Sequence, residues 1–214
     1  MKLTPFWCLI LLLAIGCATH PPAPKPPALT KEDRFIQAAA RNQIEILESD
    51  FVNGVDVNAQ TPTGTSALMV ASFKGHESAV NWLLAHANCK IDQVDHDGLT
   101  ALHYAVLSKK IEVVRVLLDH HAHPNAVDSK GLSPLILAAR NSPPETAKAL
   151  LEAGADPNLP DADQWTALFH AISRKRLDVI KVLLKGGARR DLKDSSGKSA
   201  AQLAKELDIR LPVK

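Results

Sequence analysis

The sequence predicts an all-α repeat solenoid, and three observations lead to that prediction. An eight-residue pattern, Gly-Leu-Thr-Ala-Leu-His-Tyr-Ala at residues 98–105, recurs in related form at residues 64–71, 131–138 and 164–171. A Leu-Leu pair follows each copy at a constant distance, and a short loop rich in Gly, Asp, Pro and Asn then closes the unit. A repeated pattern with a fixed period is typical of stacked helical units.

The hydroxyl residue of the pattern defines the period. Successive hydroxyl residues are separated by 34, 33, 33 and 33 residues, in the series Ser66, Thr100, Ser133, Thr166 and Ser199. Each side-chain oxygen is expected to cap the first helix of its unit, and Pro134 suits the first position of a helix. The second helix, seen best at residues 111–118, is apolar at helical spacing. One unit cannot bury that face alone, so the units are expected to stack.

These residues resemble the consensus of the ankyrin-repeat family, which has Gly-x-Thr-Pro-Leu-His-x-Ala, a second helix ending in Leu-Leu, and a Gly-Ala-Asp-x-Asn loop. The resemblance covers residues 31–210. It implies an ankyrin-repeat solenoid of stacked helix-loop-helix units with β-hairpin loops, about five to six units including degenerate caps. The implied units and terminal cap are residues 31–60, 61–94, 95–127, 128–160, 161–193 and 194–214.

Some residues depart from the consensus in the loops. Gln164 and His121 stand where the family has a turn glycine, so a positive φ is expected to cost more there, and Ala87 replaces a third such glycine. The resemblance also implies a structural role for His103, whose counterpart in the family hydrogen-bonds the backbone of a neighbouring loop.

The first residues of the chain predict export. Residues 6–16 are apolar, too short to cross a hydrocarbon core of about 30 Å but typical of a secretory signal. The stretch ends in Leu-Ala-Ile-Gly-Cys, which resembles the lipobox of bacterial lipoproteins. That resemblance implies a signal peptide at residues 1–16, lipidation of Cys17, and a proline-rich linker at residues 17–30. The alternative is cleavage after Ala18, giving a soluble periplasmic protein. With lipidation, Ala18 favours the outer membrane.

No motif in the sequence predicts catalysis, a cofactor or a bound metal. Phosphate-binding glycine loops, nucleophile elbows and zinc-peptidase helices are all missing from it. His120, His121 and His123 could contribute to a zinc or copper site, but no cysteine or carboxylate cluster completes the set, so an exposed loop is the favoured interpretation. The net charge of +2 does not indicate a nucleic-acid-binding protein.

The resemblance further implies that partners bind to the hairpin tips and to the exposed side of the first helices. Motif positions on that surface predict ten partner-binding residues, which are Phe73, Lys74, Asp97, Leu99, Leu107, Lys130, Leu132, Arg140, Trp165 and Arg174. Large apolar side chains at surface positions indicate interface anchors. Trp165 is the strongest single candidate, and its alternative role is packing onto the adjacent hairpin. Trp82 lies in a second helix and is expected in the core.

The expected function is therefore a non-catalytic, monomeric protein-binding module that does not bind nucleic acid. Together with export, similarity to periplasmic ankyrin self-protection proteins of bacteria implies an inhibitor or immunity-type protein. Such a protein would occlude an exported enzyme, such as a peptidoglycan hydrolase or a toxin, and so protect its own cell. The alternative is a periplasmic scaffold for oxidative-stress protection that supports a peroxide-detoxifying enzyme.

Overall fold

A computed structural model describes residues 29–212 of the chain. This part contains eleven helices and no regular β-strand. The predicted signal peptide, Cys17 and the linker as far as residue 28 lie outside the described residues. One layer consists of first helices, which are α1 (Lys31–Ala40), α3 (Ala67–Lys74), α5 (Ala101–Leu107), α7 (Pro134–Asn141), α9 (Ala167–Ser173) and α11 (Ala200–Glu206). The other layer consists of second helices, which are α2 (Ile44–Val52), α4 (Glu77–Leu84), α6 (Ile111–Asp119), α8 (Pro144–Glu152) and α10 (Leu177–Lys185).

Helices of the same layer pack side by side in chain order. α3 packs between α1 and α5, and α7 packs between α5 and α9. In the other layer α6 packs between α4 and α8, while each second helix also packs on the first helix of its own unit. This arrangement confirms the predicted solenoid of stacked units, in which each unit contacts only its neighbours.

Each predicted hydroxyl residue directly precedes a first helix, and most of them cap it. The side-chain oxygens of Ser66, Thr100 and Ser133 accept hydrogen bonds from the N–H three residues later, at 3.3–3.4 Å. These bonds satisfy one of the free amides at the start of each helix. Thr166 is an exception, because its Oγ1 is buried without a hydrogen-bond partner among residues 29–212.

Small side chains set the spacing of the first helices. The alanines that close the recurring pattern are at most 1% exposed, and they are Ala71, Ala105, Ala138, Ala171 and Ala204. Because alanine has no side chain beyond Cβ, neighbouring helices can approach closely at these points. Leucines of the second helices, such as Leu83, Leu117 and Leu150, are completely buried between the layers. The core therefore runs without interruption along the stack.

The loops between units form short hairpins that stack on one another. Within the hairpins, the N–H of Asp95 donates to the carbonyl of Leu99 at 3.1 Å, and equivalent bonds form at Asp128 and Asp161. Two hairpins also form isolated antiparallel bridges. Between hairpins, N–H groups donate to carbonyls of the preceding hairpin at 2.8–3.3 Å, in the pairs His96 to Thr63, Ser129 to Asp97, Ala162 to Lys130 and Ser195 to Asp163. The hairpin tips thus form one continuous row.

Two of the substituted turn residues do adopt positive φ. His121 has φ 64° and Gln164 has φ 63°, whereas Ala87 is not among the residues with positive φ. The loop that contains Ala87 holds the extra residue of the 34-residue spacing and has a different turn geometry. Of the three substituted positions, only Ala87 therefore departs from the backbone conformation expected of a turn glycine.

A series of amide side chains links the loops on the opposite edge of the stack. Three asparagines each make two hydrogen bonds to the next loop, and these are Asn58, Asn125 and Asn158. The Nδ2 group donates to a backbone carbonyl of that loop at 2.8–3.3 Å. The Oδ1 atom accepts, at 2.7–2.8 Å, from the backbone N–H two residues after that carbonyl. Asp92 occupies the same position in the remaining unit and accepts from the N–H of His123 at 2.8 Å. A carboxylate has no N–H, so this interface lacks one hydrogen bond.

We predict that Asp92→Asn stabilises the protein. By analogy with the other three interfaces, the new Nδ2 would donate to the carbonyl of His121. One added hydrogen bond is expected to raise the free energy of unfolding by about 0.5–1.5 kcal/mol. Urea denaturation followed by circular dichroism measures this change. Asp92→Ala is the matched control and should be destabilised, and an unchanged or lower stability of the Asn variant would contradict the prediction.

Candidate protein-binding surface

The hairpin tips and the solvent-facing sides of α3, α5, α7 and α9 together make up a surface that we call the hairpin face. Six predicted residues are exposed on it, namely Phe73, Lys74, Asp97, Leu107, Lys130 and Arg174. Three are half-buried, namely Leu99, Arg140 and Trp165. Phe73 and Leu107 are 44% and 41% exposed, which is high for large apolar side chains. These two are therefore available to a partner.

Leu132 differs from the expectation, because only 9% of it is exposed and it belongs to the hydrophobic core. Five residues after Leu132, in α7, lies Leu137, which is buried in the same core. The equivalent positions of the neighbouring units hold the polar residues Tyr104 and His170. Leu132 and Leu137 are thus both buried members of the core. Leu132 is consequently not an accessible partner-binding residue, and this assignment was wrong.

Trp165 is partly committed to the protein's own packing. Its ring stacks on the buried Phe169 with centroids 5.7 Å apart and an interplanar angle of 28°, and it meets His170 edge-on at 5.3 Å. The pKa of Asp194 in the next hairpin is lowered chiefly by a hydrogen bond from Ser196, and the Trp165 indole lies near enough to add to this lowering. Much of the Trp165 ring is therefore used in the protein's own packing, and only its exposed edge is available to a partner.

An aspartate organises one end of the hairpin face. Oδ1 of Asp95 accepts hydrogen bonds from the N–H groups of Asp97 and Leu99 at 2.9 Å, and Oδ2 accepts from the Tyr104 hydroxyl at 2.7 Å. Burial, together with Asp95, raises the pKa of Tyr104 to about 12. The ring of Phe73 packs edge-on to Tyr104 with centroids 6.2 Å apart. The exposed Phe73 is thus supported by an aromatic ring that is itself held in place.

The same arrangement recurs two units further on with a different partner. Oδ1 of Asp161 accepts from the N–H groups of Asp163 and Trp165, and Oδ2 lies 2.7 Å from Nε2 of His170. The pKa of His170 is lowered mainly by burial, which outweighs the opposing effect of Asp161, and is lowered further by Arg140 and Arg174. Sequence reasoning missed both aspartate pairs. The sequence signal that could have found them is a hydrogen-bond donor nine positions after each aspartate, which is Tyr104 for Asp95 and His170 for Asp161.

Two arginines lie close to His170 on this part of the hairpin face. Nη1 of Arg174 donates to Oδ1 of Asn141 at 3.4 Å, and Nε of Arg140 is buried without a hydrogen-bond partner in the described chain. Within residues 29–212, neither guanidinium has a carboxylate oxygen within 4.0 Å. Arg176 differs from them, since it donates to the carbonyl of Ala138 at 3.1 Å and so serves the protein's own structure.

The histidine cluster is engaged with the backbone. Nδ1 of His120 bonds the carbonyl of Val116 at 2.9 Å, and Nδ1 of His123 accepts from the N–H of Asn125 at 3.1 Å. His121 forms the turn with positive φ. In the described part of the chain, no three His, Cys, Asp or Glu side chains converge in a geometry that could hold a metal ion.

Comparison with known proteins assigns the family. The family model for ankyrin repeats (3 copies) matches residues 35–128 and 120–194. The chain belongs to the ankyrin-repeat family. Ankyrin repeats are typically non-catalytic and bind other proteins, so this ankyrin chain is a protein-binding module. Among the described residues, no helix is long and apolar enough to cross a membrane.

Several known proteins are similar to parts of this ankyrin chain. The mitochondrial disaggregase of Bos taurus is 29% identical over 153 residues, which cover 55% of this chain and 22% of that protein. The E3 ubiquitin-protein ligase XBAT33 of Arabidopsis thaliana is 37% identical over 38% of this chain and 16% of its own length. The ankyrin repeat protein YahD of Escherichia coli (strain K12) is 38% identical over 42% of this chain and 48% of its own length. The chain thus spans less than half of each relative.

His103 makes the structural hydrogen bond that the family resemblance implied. Its burial also leads us to expect that the stability of the protein depends on pH. His103 is completely buried, with Nε2 3.1 Å from the carbonyl of Leu132 in the next hairpin. Burial lowers the pKa of His103 below its ordinary value of 6.5. The unfolded chain therefore takes up a proton first as the pH falls, and the free energy of unfolding should decrease below about pH 6.5. Urea denaturation at pH 7.5 and pH 5.5 measures this decrease.

His103→Gln provides the control for this prediction, because glutamine does not titrate in this range. The variant should be less stable than the parent at pH 7.5 but should lose less stability between pH 7.5 and pH 5.5. An equal loss in both proteins would mean that other groups dominate the pH dependence.

Proposed function

We propose that this ankyrin protein is exported, anchored by a lipid on Cys17, and binds and occludes an exported enzyme through its hairpin face. The observation that carries the proposal is the exposure of Phe73 and Leu107 on the same face as two arginines that have no carboxylate oxygen within 4.0 Å among the described residues. Exposed large apolar side chains and arginines of this kind contribute much of the binding energy at protein interfaces, which supports a tight complex.

The short apolar segment at residues 6–16 and the sequence that ends at Cys17 support the location. A periplasmic binding module that is held at a membrane could neutralise a hydrolase or toxin near the cell's own peptidoglycan. Rigid stacking of the units supports occlusion, since the partner would meet a preformed surface.

Metabolic labelling with a radioactive fatty acid tests the anchor. The full-length protein should incorporate label and fractionate with membranes, and Cys17→Ala should abolish both. Cys89→Ala is the matched control and should keep the label, because burial raises the pKa of the Cys89 thiol to about 11 and makes it a poor nucleophile. Label that persists in Cys17→Ala would contradict the anchor.

Crosslinking in intact cells, followed by purification of the protein, tests the partner. An exported hydrolase or toxin should be recovered in stoichiometric amount, and its activity should fall when the purified ankyrin protein is added. Replacing Phe73 and Leu107 with alanine should weaken this inhibition about 10- to 100-fold. Arg115→Ala, on the exposed side of α6, should have no effect.

The scaffold alternative gives a different result in the same experiment. A scaffold would bind an exported enzyme, such as a peroxide-detoxifying one, without lowering its activity. Binding that leaves activity unchanged would therefore overturn the inhibitory role while retaining the binding face.

A further inference from the structure

We infer that the partner presents an acidic segment to the hairpin face, with a carboxylate between Arg140 and Arg174 and an apolar side chain on Phe73 and Leu107. This inference rests on the proposed function, because it specifies the chemistry of the partner at the same face. It names a class of partner surface that neither the family nor the relatives indicate.

The cationic part of the site is made by neighbouring units. Arg140 lies in α7, and Arg174 directly follows α9, which packs against α7. The bond from Arg174 to Asn141, next to Arg140 in α7, connects the two helices. Both guanidiniums lie close enough to His170 to lower its pKa. Two positive groups are thus brought together on one stretch of surface.

The protein's own acidic groups leave these two charges available. Asp161 is the acidic residue built into this part of the face, and its oxygens are already occupied by His170 and by the N–H groups of Asp163 and Trp165. Arg140 is half-buried and its guanidinium has no carboxylate oxygen within 4.0 Å among the described residues, so part of the cost of desolvating this arginine is left uncompensated in the free protein. A carboxylate held by the outer nitrogens of both guanidiniums would supply the counter-charge and charge-assisted hydrogen bonds.

The apolar part of the site lies at a suitable distance along the same face. Phe73, Leu107, Arg140 and Arg174 belong to four successive units. Neighbouring helices are separated by about 8–10 Å. Leu107 and Arg140 are therefore one such step apart, and Phe73 and Arg174, three steps apart, are separated by roughly 24–30 Å. An extended segment of roughly nine residues covers that length. A single segment can therefore reach both parts.

The distribution of charge favours an acidic protein segment over nucleic acid or an anionic membrane. Residues 31–160, which include Phe73, Leu107 and Arg140, contain 16 Asp and Glu against 11 Lys and Arg, whereas residues 161–214, which include Arg174, contain 7 against 12. Asp97 and Asp163 lie at exposed hairpin positions along the face. An extended polyphosphate or a charged bilayer would meet these repulsive groups as well as the arginines. A segment with one or two carboxylates in register with Arg140 and Arg174 would avoid them.

Selection from a displayed library of random dodecapeptides on the immobilised full-length protein tests the inference. Selected peptides should contain Asp and Glu above their frequency in the library, together with at least one large apolar residue. The affinity of the best peptide should fall at least about tenfold for the Arg140→Gln/Arg174→Gln variant. It should fall similarly for Phe73→Ala/Leu107→Ala.

The control variant is Lys181→Gln/Lys185→Gln, which removes the same charge from exposed positions on α10. It should bind the selected peptides as the parent does. Equal weakening by both charge variants would overturn the inference, because binding would then follow net charge. An oligothymidylate or phosphatidylglycerol vesicles that bind the parent and depend on Arg140 and Arg174, while no acidic peptide does, would also overturn it.

Two further outcomes separate this inference from the proposed function. Peptides that require Phe73 and Leu107 but have no acidic excess would overturn the acidic segment and leave the hairpin face intact as a binding site. If no selected peptide is weakened by either pair of substitutions, both the acidic segment and the face are wrong.

Discussion

Arg34→Met is expected to destabilise the N-terminal part of the protein by about 2–3 kcal/mol, less than the loss of a fully buried pair, because the side chain of Arg34 is 56% exposed and water can partly replace it. Asp50 in α2 is completely buried, and its carboxylate accepts hydrogen bonds from Nε of Arg34 at 3.0 Å and from Nη2. Within residues 29–212, that carboxylate has no other hydrogen-bond donor. Methionine keeps the apolar stem of the side chain but leaves the carboxylate in the core without a counter-charge. Urea denaturation followed by circular dichroism measures the loss.

A double-substitution cycle separates the charge from the packing. Asp50→Asn removes the buried charge at constant shape, so adding it to Arg34→Met should restore at least half of the lost stability. Arg189→Met is the matched control, because Arg189 pairs with Asp191 at the surface, where both side chains are more than half exposed. Its urea midpoint should not change measurably. An Arg34→Met protein as stable as this control would show that Asp50 is not held as a buried charge.

The helices of the central units could be predicted from the sequence, because the period places them. Ser66, Thr100 and Ser133 mark the starts of three first helices, and the structure begins α3, α5 and α7 one residue later. The N-terminal unit lacks the pattern, so nothing in the sequence connected Arg34 with Asp50, sixteen residues away. Their pairing depends on how α1 packs on α2, which a repeat motif elsewhere in the chain does not specify.

The binding surface could be predicted only as a set of motif positions. Leu99, Leu132 and Trp165 occupy the same position, yet Leu132 is buried while the other two are half-buried. Their exposure depends on neighbouring side chains that vary between units. The supporting aspartates were detectable in principle, since aspartate recurs every 33 residues from Asp95 to Asp194. Their pairing with Tyr104 and His170 requires the three-dimensional arrangement of hairpin and helix.

The stacked hairpins connect stability with binding, because the same row of tips forms the edge of the hairpin face. Each tip is held to the preceding one by a backbone hydrogen bond, such as that from His96 to Thr63 at 3.2 Å. A change that separates two tips should therefore affect both the free energy of unfolding and the shape offered to a partner.

Gly64→Ala tests this connection and is expected to destabilise the protein by about 2–4 kcal/mol. Gly64 has φ +82°, and a Cβ built on it would lie 2.9 Å from Cα of Asp95 and from the N of His96. The left-handed conformation costs an alanine roughly 1–2 kcal/mol, and the neighbouring backbone cannot move aside without breaking the bond from His96 to Thr63. Urea denaturation measures the stability, and amide hydrogen exchange at His96 should become faster.

Gly197→Ala makes this a matched comparison. Gly197 occupies the same motif position in the hairpin before α11 and has φ +82°, but no described atom lies within 4 Å of the position that a Cβ would take there. The two variants therefore share the conformational cost of positive φ and differ in the contact with a following hairpin. Gly197→Ala should lose only about 1–2 kcal/mol, so the difference between the variants measures what close stacking of hairpins contributes. If both lose the same amount, positive φ accounts for the whole effect, and the hairpin row can bend enough to accept a methyl group without cost.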